Sequence, residues 1–309
     1  MELRHLRYFI AIAEEGHITR AAERLGMQQP PLSQQLKAME RELNVQLFRR
    51  KPRGVELTDA GRALLEDARG MLAHLDRAVE ATRRAARGEQ GRICLGVTST
   101  TPFHPLVPRA IRAFREACPL VSLTVEECLS NESAERLQNE SMDAAFVRTS
   151  LPGSTGLVVT PLLEEPMVVA LPKRHALARD KTAATIAMKR LADETFILYG
   201  PPGTGMYDAT IAACQAAGFN PRVGNLGAST QQAPRIGSTL SLVAAGLGIT
   251  FVPASLQRMN LDGVTYRKVA AGEHPRAVLG IASRRSDMSA VLKQFLAVVR
   301  KSAKAYAVT

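Results

Sequence analysis

The 309-residue chain contains no tryptophan, only 5% aromatic residues and only four cysteines, and these scarcities exclude several classes of protein. Cys94, Cys118, Cys128 and Cys214 lie far apart without a C-x-x-C pair, so neither a disulfide scaffold nor a metal site is expected. No uncharged apolar stretch reaches the roughly 18 residues of a membrane helix, and the apolar run 8–13 is too short for a secretory signal. We expect a cytoplasmic protein with reduced, mostly buried thiols, no cofactor and no membrane partner.

Positive charge is abundant. The chain carries 40 Lys and Arg residues against 29 Asp and Glu residues, a formal net charge of +11. Such an excess favours a polyanionic partner, although a basic solvated surface is an equally open interpretation of charge alone. The length predicts two or three domains, since a domain holds roughly 150 residues.

The N-terminal segment reads as short helices over about residues 3–15, 20–25 and 29–43. Thr19 is the expected N-cap of the second helix, and Gly26 ends it. Two helices joined by a short turn containing glycine are typical of a helix-turn-helix, while an ordinary helical hairpin remains the alternative.

A basic hairpin is predicted to follow, over residues 47–57. Four basic residues occupy five positions at its tip, namely Arg49, Arg50, Lys51 and Arg53. Beside a helix-turn-helix this hairpin would be a wing, which can grip phosphates and insert arginine into a narrow minor groove.

One long helix is predicted over residues 58 to about 88, with Thr58 as its N-cap. A heptad pattern runs along it and favours dimerisation, although a single amphipathic helix packed on its own domain would also fit. The pattern consists of Leu57, Leu64, Met71, Ala78 and Ala85, with Gly61, Ala68, Leu75 and Thr82 between them. Two glycines, Gly88 and Gly91, then predict a helix stop and a hinge.

The remaining residues alternate apolar runs with helical patterns. Strands near 93–97, 121–125 and 144–147 separated by helices predict βαβ units and a parallel sheet. A second lobe is expected from about residue 162, with a return to the first lobe at 266–269 and 278–282. Two lobes with two crossings form a cleft, where ligands lie at the carboxyl ends of the strands.

Polar residues follow these strands and are candidates for an anion site. Thr98, Ser99, Thr100 and Thr101 lead into a helix, and hydroxyls at a helix N-terminus favour an anion. Arg148 offers a carboxylate a fixed fork, or else closes the lobes through an ion pair. From the second lobe we expect several residues to face the same gap: Tyr199, Pro202, Gly203 and Thr204, with Ser229, Thr230 and Gln231 as further candidates.

The segment 200–205 has the glycine-rich sequence with which a P-loop begins. The lysine and the serine or threonine that should follow are instead Met206 and Tyr207. Without the lysine that reaches the phosphates, nucleotide hydrolysis is not expected.

The segments LRHLRYFIAIAEEGHITRAAERLGMQQPPLSQQLKAMERELNVQLFRR and GVELTDAGRALL, with LVAAGLGITFVP near the C-terminus, resemble the LysR-type transcriptional regulators. The resemblance covers essentially the whole chain and is greatest to the branch that senses intermediates of aromatic degradation. It implies an all-α winged helix-turn-helix domain (1–58), a linker helix and hinge (59–91), and a two-lobed α/β effector domain like a periplasmic binding protein (92–309). The lobes would comprise residues 92–161 plus 266–309, and 162–265.

The resemblance also implies a non-enzymatic role with several partners. It implies dimers that assemble into tetramers on double-stranded promoter DNA, a small organic acid as inducer, and RNA polymerase as a further partner. An enzyme or ligand receptor that uses the cleft without DNA is the alternative, although the chain lacks a nucleophile–base pair, and a nucleoid protein without an inducer is a third.

Functional positions carry over residue by residue. Gln29, Pro30, Ser33 and Gln34 should face the major groove and Arg53 the minor groove, with Thr19, Lys37, Arg49 and Arg50 on phosphates. The inducer, which we expect to be an aromatic or muconate-like carboxylate, should contact Thr98, Ser99, Thr100, Ser130, Arg148, Tyr199, Pro202, Gly203 and Thr230. Gln28 and Pro31 replace the serine and the small residue of many relatives, and Gln34 stands where some carry arginine, which puts the base preference in doubt.

Overall fold

A computed structural model describes residues 1–148, 151, 155–180, 184–200, 202–223, 235–272, 274–286 and 289–307. The chain divides into two compact units, Met1–Arg84 and Ala85–Thr309. Within the described residues, no helix combines the length and the apolar character that crossing a membrane would require.

The first unit contains the predicted hairpin and helices, the last of which ends two residues inside the second unit: α1 (Leu3–Glu15), α2 (Ile18–Arg24), α3 (Gln29–Leu43), β1 (Phe48–Lys51), β2 (Gly54–Leu57) and α4 (Asp59–Ala86). Helix α3 accepts two prolines in its first turn, where no backbone N–H has an intrahelical partner. The N-cap of α2 is His17, so the prediction of Thr19 as the cap is wrong, and Thr19 lies inside the first turn. The expected all-α domain also needs correction, because β1 and β2 pair as an antiparallel hairpin.

One core holds the first unit together. Ala21 and Ala22 are fully buried, so α2 approaches its neighbours closely, and Phe9 and Phe48 pack with ring centroids 5.4 Å apart. Helix α4 joins this core through Ala68, and its Thr58 hydroxyl accepts a hydrogen bond from Gly61 N at 3.0 Å, which confirms the predicted cap. Helix α3, the hairpin and the start of α4 are therefore parts of one packed module.

The first lobe of the second unit is built on a mixed sheet. It contains β3 (Gln90–Val97), α5 (Leu106–Ala117), β4 (Leu120–Glu127), α6 (Ser130–Gln138), β5 (Ala144–Arg148), β12 (Arg276–Arg284) and α10 (Ala290–Ala307). Strands β4, β3 and β5 are parallel as predicted, but β12 is antiparallel to β5. The sheet is therefore not purely parallel, because strand β12 returns to this lobe from the other lobe and runs in the opposite direction.

The second lobe contains β7 (Thr185–Ile186), β8 (Thr195–Phe196), α8 (Gly205–Ala216), β9 (Arg222–Val223), α9 (Ile236–Ala244), β10 (Thr250–Pro253) and β11 (Val264–Val269), with the short α7 (Ala176–Arg179). Strand β6 (Leu157–Pro172) serves both lobes, since it pairs with β12 up to Pro166 and with β10 and β11 from Met167 onward. The predicted return to the first lobe at residue 266 is wrong, because β11 pairs with the second-lobe part of β6 and with β7.

Candidate DNA-reading surface and effector cavity

Helix α3 divides cleanly into a buried face and an exposed face. Leu32, Leu36 and Met39 are buried in the core of the first unit. The predicted DNA contacts recur at steps of four on the other side, where Gln29, Pro30, Gln34 and Lys37 are exposed and Ser33 is half-buried. The structure thus brings the predicted base-reading residues together on one accessible helix face.

The hairpin separates its residues by strand alternation. Phe48 and Leu57 form one cross-strand pair and pack on the core, while Arg49 lies opposite Glu56 on the other face. Glu56 Oε2 lies 2.9 Å from Arg49 Nε and 2.8 Å from Lys51 Nζ. Arg49, predicted to contact phosphate, is therefore already paired with Glu56 within the chain. This pairing depends on the hairpin register, which places the two residues opposite each other.

A close backbone approach fixes the hairpin to the turn between α1 and α2. Val55 N donates to Gly16 O at 2.8 Å. Gly54 has φ +139°, and a Cβ there would lie 2.2 Å from Gly16 O. Only glycine fits this position without displacing the hairpin.

A cavity of about 440 Å³ lies between the two lobes of the second unit. Seven of the nine predicted effector residues line it: Thr98, Ser99, Thr100, Ser130, Arg148, Tyr199 and Pro202. Gly203 is not among the lining residues, and its N–H donates to Asp208 Oδ1 at 3.1 Å instead. Ser229, Thr230 and Gln231 lie outside the described residues.

Sequence reasoning missed several walls of this cavity. The missed residues are Cys128, Leu129, Asn131, Gly200, Gly205 and Met206. A usable signal existed in the glycine-rich segment 200–205, which resembles a P-loop and here leads into α8. Thr204, expected to face the gap, does line the cavity.

Two helices begin at the cavity wall, one from each lobe. Helix α6 starts at Ser130 and α8 starts at Gly205, both of which line the cavity. The N-terminal end of a helix carries partial positive charge and N–H groups without intrahelical partners, which favours a negatively charged ligand. The hydroxyls of Ser99, Thr100 and Thr204 add donors around the same space.

Direct contacts join the two lobes across the cavity. Ser99 Oγ and Tyr199 Oη are 2.5 Å apart, and Thr100 Oγ1 lies 3.8 Å from Met206 Sδ. Burial raises the pKa of Tyr199, so its phenol stays protonated and keeps a hydrogen to donate.

Arg148 forms the ion pair that was the alternative to a ligand contact. Its Nη1 lies 2.7 Å from Glu165 Oε1, and the two side chains are only 4% and 9% exposed. Glu165 also accepts hydrogen bonds from the Ser255 backbone N–H at 2.7 Å and from its hydroxyl at 3.0 Å. Burial lowers the pKa of Arg148 while Glu165 opposes that shift. Arg148 therefore faces the cavity with its charge largely compensated.

The thiols behave as expected. Cys118, Cys128 and Cys214 are buried and Cys94 is half-buried. Burial raises the pKa of each, to about 12 for Cys214, which makes the reactive thiolate scarce. Among the residues that the structure describes, no His, Cys, Asp and Glu side chains cluster in a way that could hold a metal ion.

Two family models match the chain. The bacterial regulatory helix-turn-helix protein model of the lysR family matches residues 3–62, and the LysR substrate binding domain matches residues 86–304. The chain belongs to the LysR family. This LysR-type protein is a DNA-binding transcriptional regulator with a substrate-binding domain, and the family consists of regulators rather than enzymes. The alternative of an enzyme or receptor without a DNA role is therefore wrong.

Relatives extend the match over nearly the whole regulator. This chain is 37% identical in sequence to the HTH-type transcriptional regulator AlsR of Bacillus subtilis, and the match covers 96% of this chain and 94% of AlsR. It is 36% identical to the HTH-type transcriptional regulator BudR of Raoultella terrigena, over 96% and 99%. The crystal structure of full-length CbnR complexed with its target DNA has a TM-score of 0.81 at 29% identity, covering 98% of this chain and 100% of CbnR.

Proposed function

We propose that this regulator senses a small organic anion in the cavity between its lobes and binds promoter DNA through α3 and the wing. The observation that supports the sensing role most directly is the lining of the cavity. Hydroxyls and two helix N-termini surround a space of about 440 Å³. They favour a negatively charged ligand even though the charge of Arg148 is already compensated by Glu165. The proposed effector is an aromatic or muconate-like carboxylate.

The cavity offers a carboxylate and its carbon frame different surroundings. Polar atoms come from Ser99, Thr100 and Ser130, while Leu129 and Met206 supply apolar surface. Such a combination suits a ligand with a charged end and a hydrophobic body. In this proposal the hydroxyls and helix ends hold the carboxylate first, and Arg148 assists only as far as Glu165 releases it.

On DNA, we propose that α3 enters the major groove. Gln29 and Gln34 can bond adenine through N6 and N7, Ser33 can donate or accept, and Pro30 can touch a thymine methyl. Arg53 at the exposed wing tip would enter the minor groove, and the exposed Thr19, Lys37 and Arg50 would contact phosphates. Arg49 would join them only when its pairing with Glu56 opens.

The assembly proposed for this regulator is a dimer through α4 that pairs into a tetramer. Met71, on the predicted seam of α4, and Val79, which follows the seam residue Ala78 and widens the apolar stripe, are 49% and 41% exposed in the single chain. A second copy of α4 would cover them, and two reading units could then bind two half-sites. Contact with RNA polymerase belongs to the same proposal.

Calorimetric titration of the full-length protein tests the sensing role. Benzoate and muconate should bind, whereas uncharged benzamide and muconamide should bind much more weakly, because only the acids carry the charge that the helix ends favour. Ser99→Ala and Ser130→Ala should each lower the acid affinity by about fivefold to tenfold, the value of one hydrogen bond. Ser122→Ala, on the exposed edge strand β4, is the matched control and should leave the affinity unchanged. Equal binding of acids and amides would refute an anion site.

The contribution of Arg148 needs a separate variant. Arg148→Ala alone leaves Glu165 buried without its partner, so the double variant Arg148→Ala/Glu165→Gln is the appropriate comparison. If wild type and the double variant bind the acids equally well, Arg148 is not an effector contact.

A further inference from the structure

The wing contains a carboxylate whose position bears on how strongly the protein binds any DNA. Residues 47–57 include four cations and a single acidic residue, Glu56. The hairpin register places Glu56 directly opposite Arg49, and Lys51 lies two residues further along the same face. One glutamate therefore contacts two of the four wing cations, at 2.9 Å and 2.8 Å.

The remaining two cations of the wing differ from this pair. Within the described residues, Arg50 and Arg53 form no ion pair, and both are exposed. The wing thus offers two available cations to a phosphate backbone, although its sequence suggests four.

We propose that Glu56 limits the sequence-independent affinity of the wing for DNA, by occupying Arg49 and Lys51 that phosphates would otherwise bind. All three side chains lie on the solvent face of the hairpin, with 57%, 53% and 43% exposure for Arg49, Lys51 and Glu56. A phosphate approaching this face must displace the carboxylate before it can bind either cation. Non-specific binding is electrostatic, so fewer available cations mean weaker binding to bulk DNA.

Glu56 exerts this effect at every physiological pH. Hydrogen bonds from Arg49 and then Lys51 lower its pKa to about 2, so the carboxylate is ionised throughout the neutral range. The brake on DNA affinity is therefore a constant property of the wing.

The isosteric change Glu56→Gln tests the proposal, with the full-length protein and a duplex of arbitrary sequence as the probe. The change removes the charge and frees two cations, so the variant should bind the duplex several-fold more tightly at low salt. Each newly engaged phosphate adds about 0.9 to the slope of log affinity against log salt. With one or two phosphates engaged per wing, the slope should steepen by about 1 to 2 for each copy of the chain on the DNA. Glu66→Gln is the control, because Glu66 is exposed on α4 and makes no ion pair within the described chain.

A second background isolates the mechanism. In Arg49→Gln/Lys51→Gln protein, Glu56→Gln should no longer steepen the slope, because no masked cation remains to be released. A steeper slope in that background would overturn the proposal, as would an unchanged slope in the single variant. Weaker binding by the single variant would show that Glu56 orients Arg49 and Lys51 for phosphate contact, which is the opposite role.

Discussion

Two arginine–glutamate pairs in this regulator have similar contact distances but differ in their exposure to solvent. Arg49 Nε and Glu56 Oε2 on the wing are 2.9 Å apart, and Arg148 Nη1 and Glu165 Oε1 at the cavity wall are 2.7 Å apart. The side chains of the first pair are 57% and 43% exposed, whereas those of the second are only 4% and 9% exposed. An exposed pair separates at little cost, whereas a buried pair that loses one member leaves an uncompensated charge in a poor solvent. Loss of one member should therefore alter DNA affinity in the wing pair and stability in the buried pair.

Breaking the buried pair should have the largest effect. Arg148→Ala should lower the free energy of unfolding by about 3–5 kcal/mol, because Glu165 would remain buried and held by Ser255 without its cationic partner. Urea denaturation of the full-length protein measures this loss.

The double variant Arg148→Met/Glu165→Gln separates charge from packing. It removes both charges and keeps much of the volume, so it should recover most of the stability lost in the single variant. A single variant that lost less than about 1 kcal/mol would mean that the pair behaves as an exposed one.

Disturbing the close contact between the wing and the α1–α2 turn should have the second largest effect on stability. Gly54→Ala places a Cβ against Gly16 O in an unfavourable conformation, which costs about 1–3 kcal/mol and displaces Arg53. DNA affinity in a filter or anisotropy assay should fall together with stability. Gly70→Ala, at an exposed helical glycine with no atom within 4 Å of the added Cβ, should not be harmful to either. Unaltered DNA binding by Gly54→Ala would show that the wing tolerates displacement.

Base-reading and phosphate-gripping residues of the first unit should be distinguishable. Gln29→Ala and Ser33→Ala should lower discrimination between operator and unrelated DNA by about 1–3 kcal/mol, because they remove contacts to base edges. Arg53→Ala should weaken binding to different sequences more evenly and flatten the salt dependence. Footprinting and competition with unrelated duplex provide both readings, and similar behaviour of the two groups would contradict these roles.

The smallest effect is expected for an exposed pair in the effector domain. Arg235 Nη1 and Glu127 Oε1 bridge the lobes at 3.1 Å, and both side chains are about half exposed. Arg235→Gln should change the free energy of unfolding by no more than about 1 kcal/mol, and salt should reduce the difference. A loss comparable to that of Arg148→Ala would show that exposure does not decide the strength of these pairs.

Much of the structure of the first unit can be predicted from local sequence. The bounds of α1 and α3 match the apolar periodicity, and the Thr58 cap is where the sequence indicates. The α2 cap was misplaced because His17 shows no side-chain capping bond by which sequence could identify it. In the effector domain the hydroxyl run 98–100, Tyr199, Pro202 and Thr204 could be found from strand ends, whereas Gly205 and Met206 at the start of α8 were missed.

The pairing of strands was the feature that the sequence predicted least well. The segment that forms β11, VTYRKV, mixes apolar and charged residues, and nothing in it indicates which strand it pairs with, so its assignment to the first lobe had no local support. Its pairing with β6 and β7 depends on the path of the chain around the second lobe.

The sequence by itself determined the family, the exposed face of α3, the basic wing and the hydroxyls of the cleft, because helix periodicity, caps and strand ends are encoded within a few residues. Only the tertiary structure decided which charges neutralise one another. Glu56 reaches Arg49 through hairpin register, and Glu165 on β6 reaches Arg148 on β5 across strand β12, which pairs with both. Electrostatic partners are set by distance in space and by burial, and neither quantity is written in the spacing of residues along the chain.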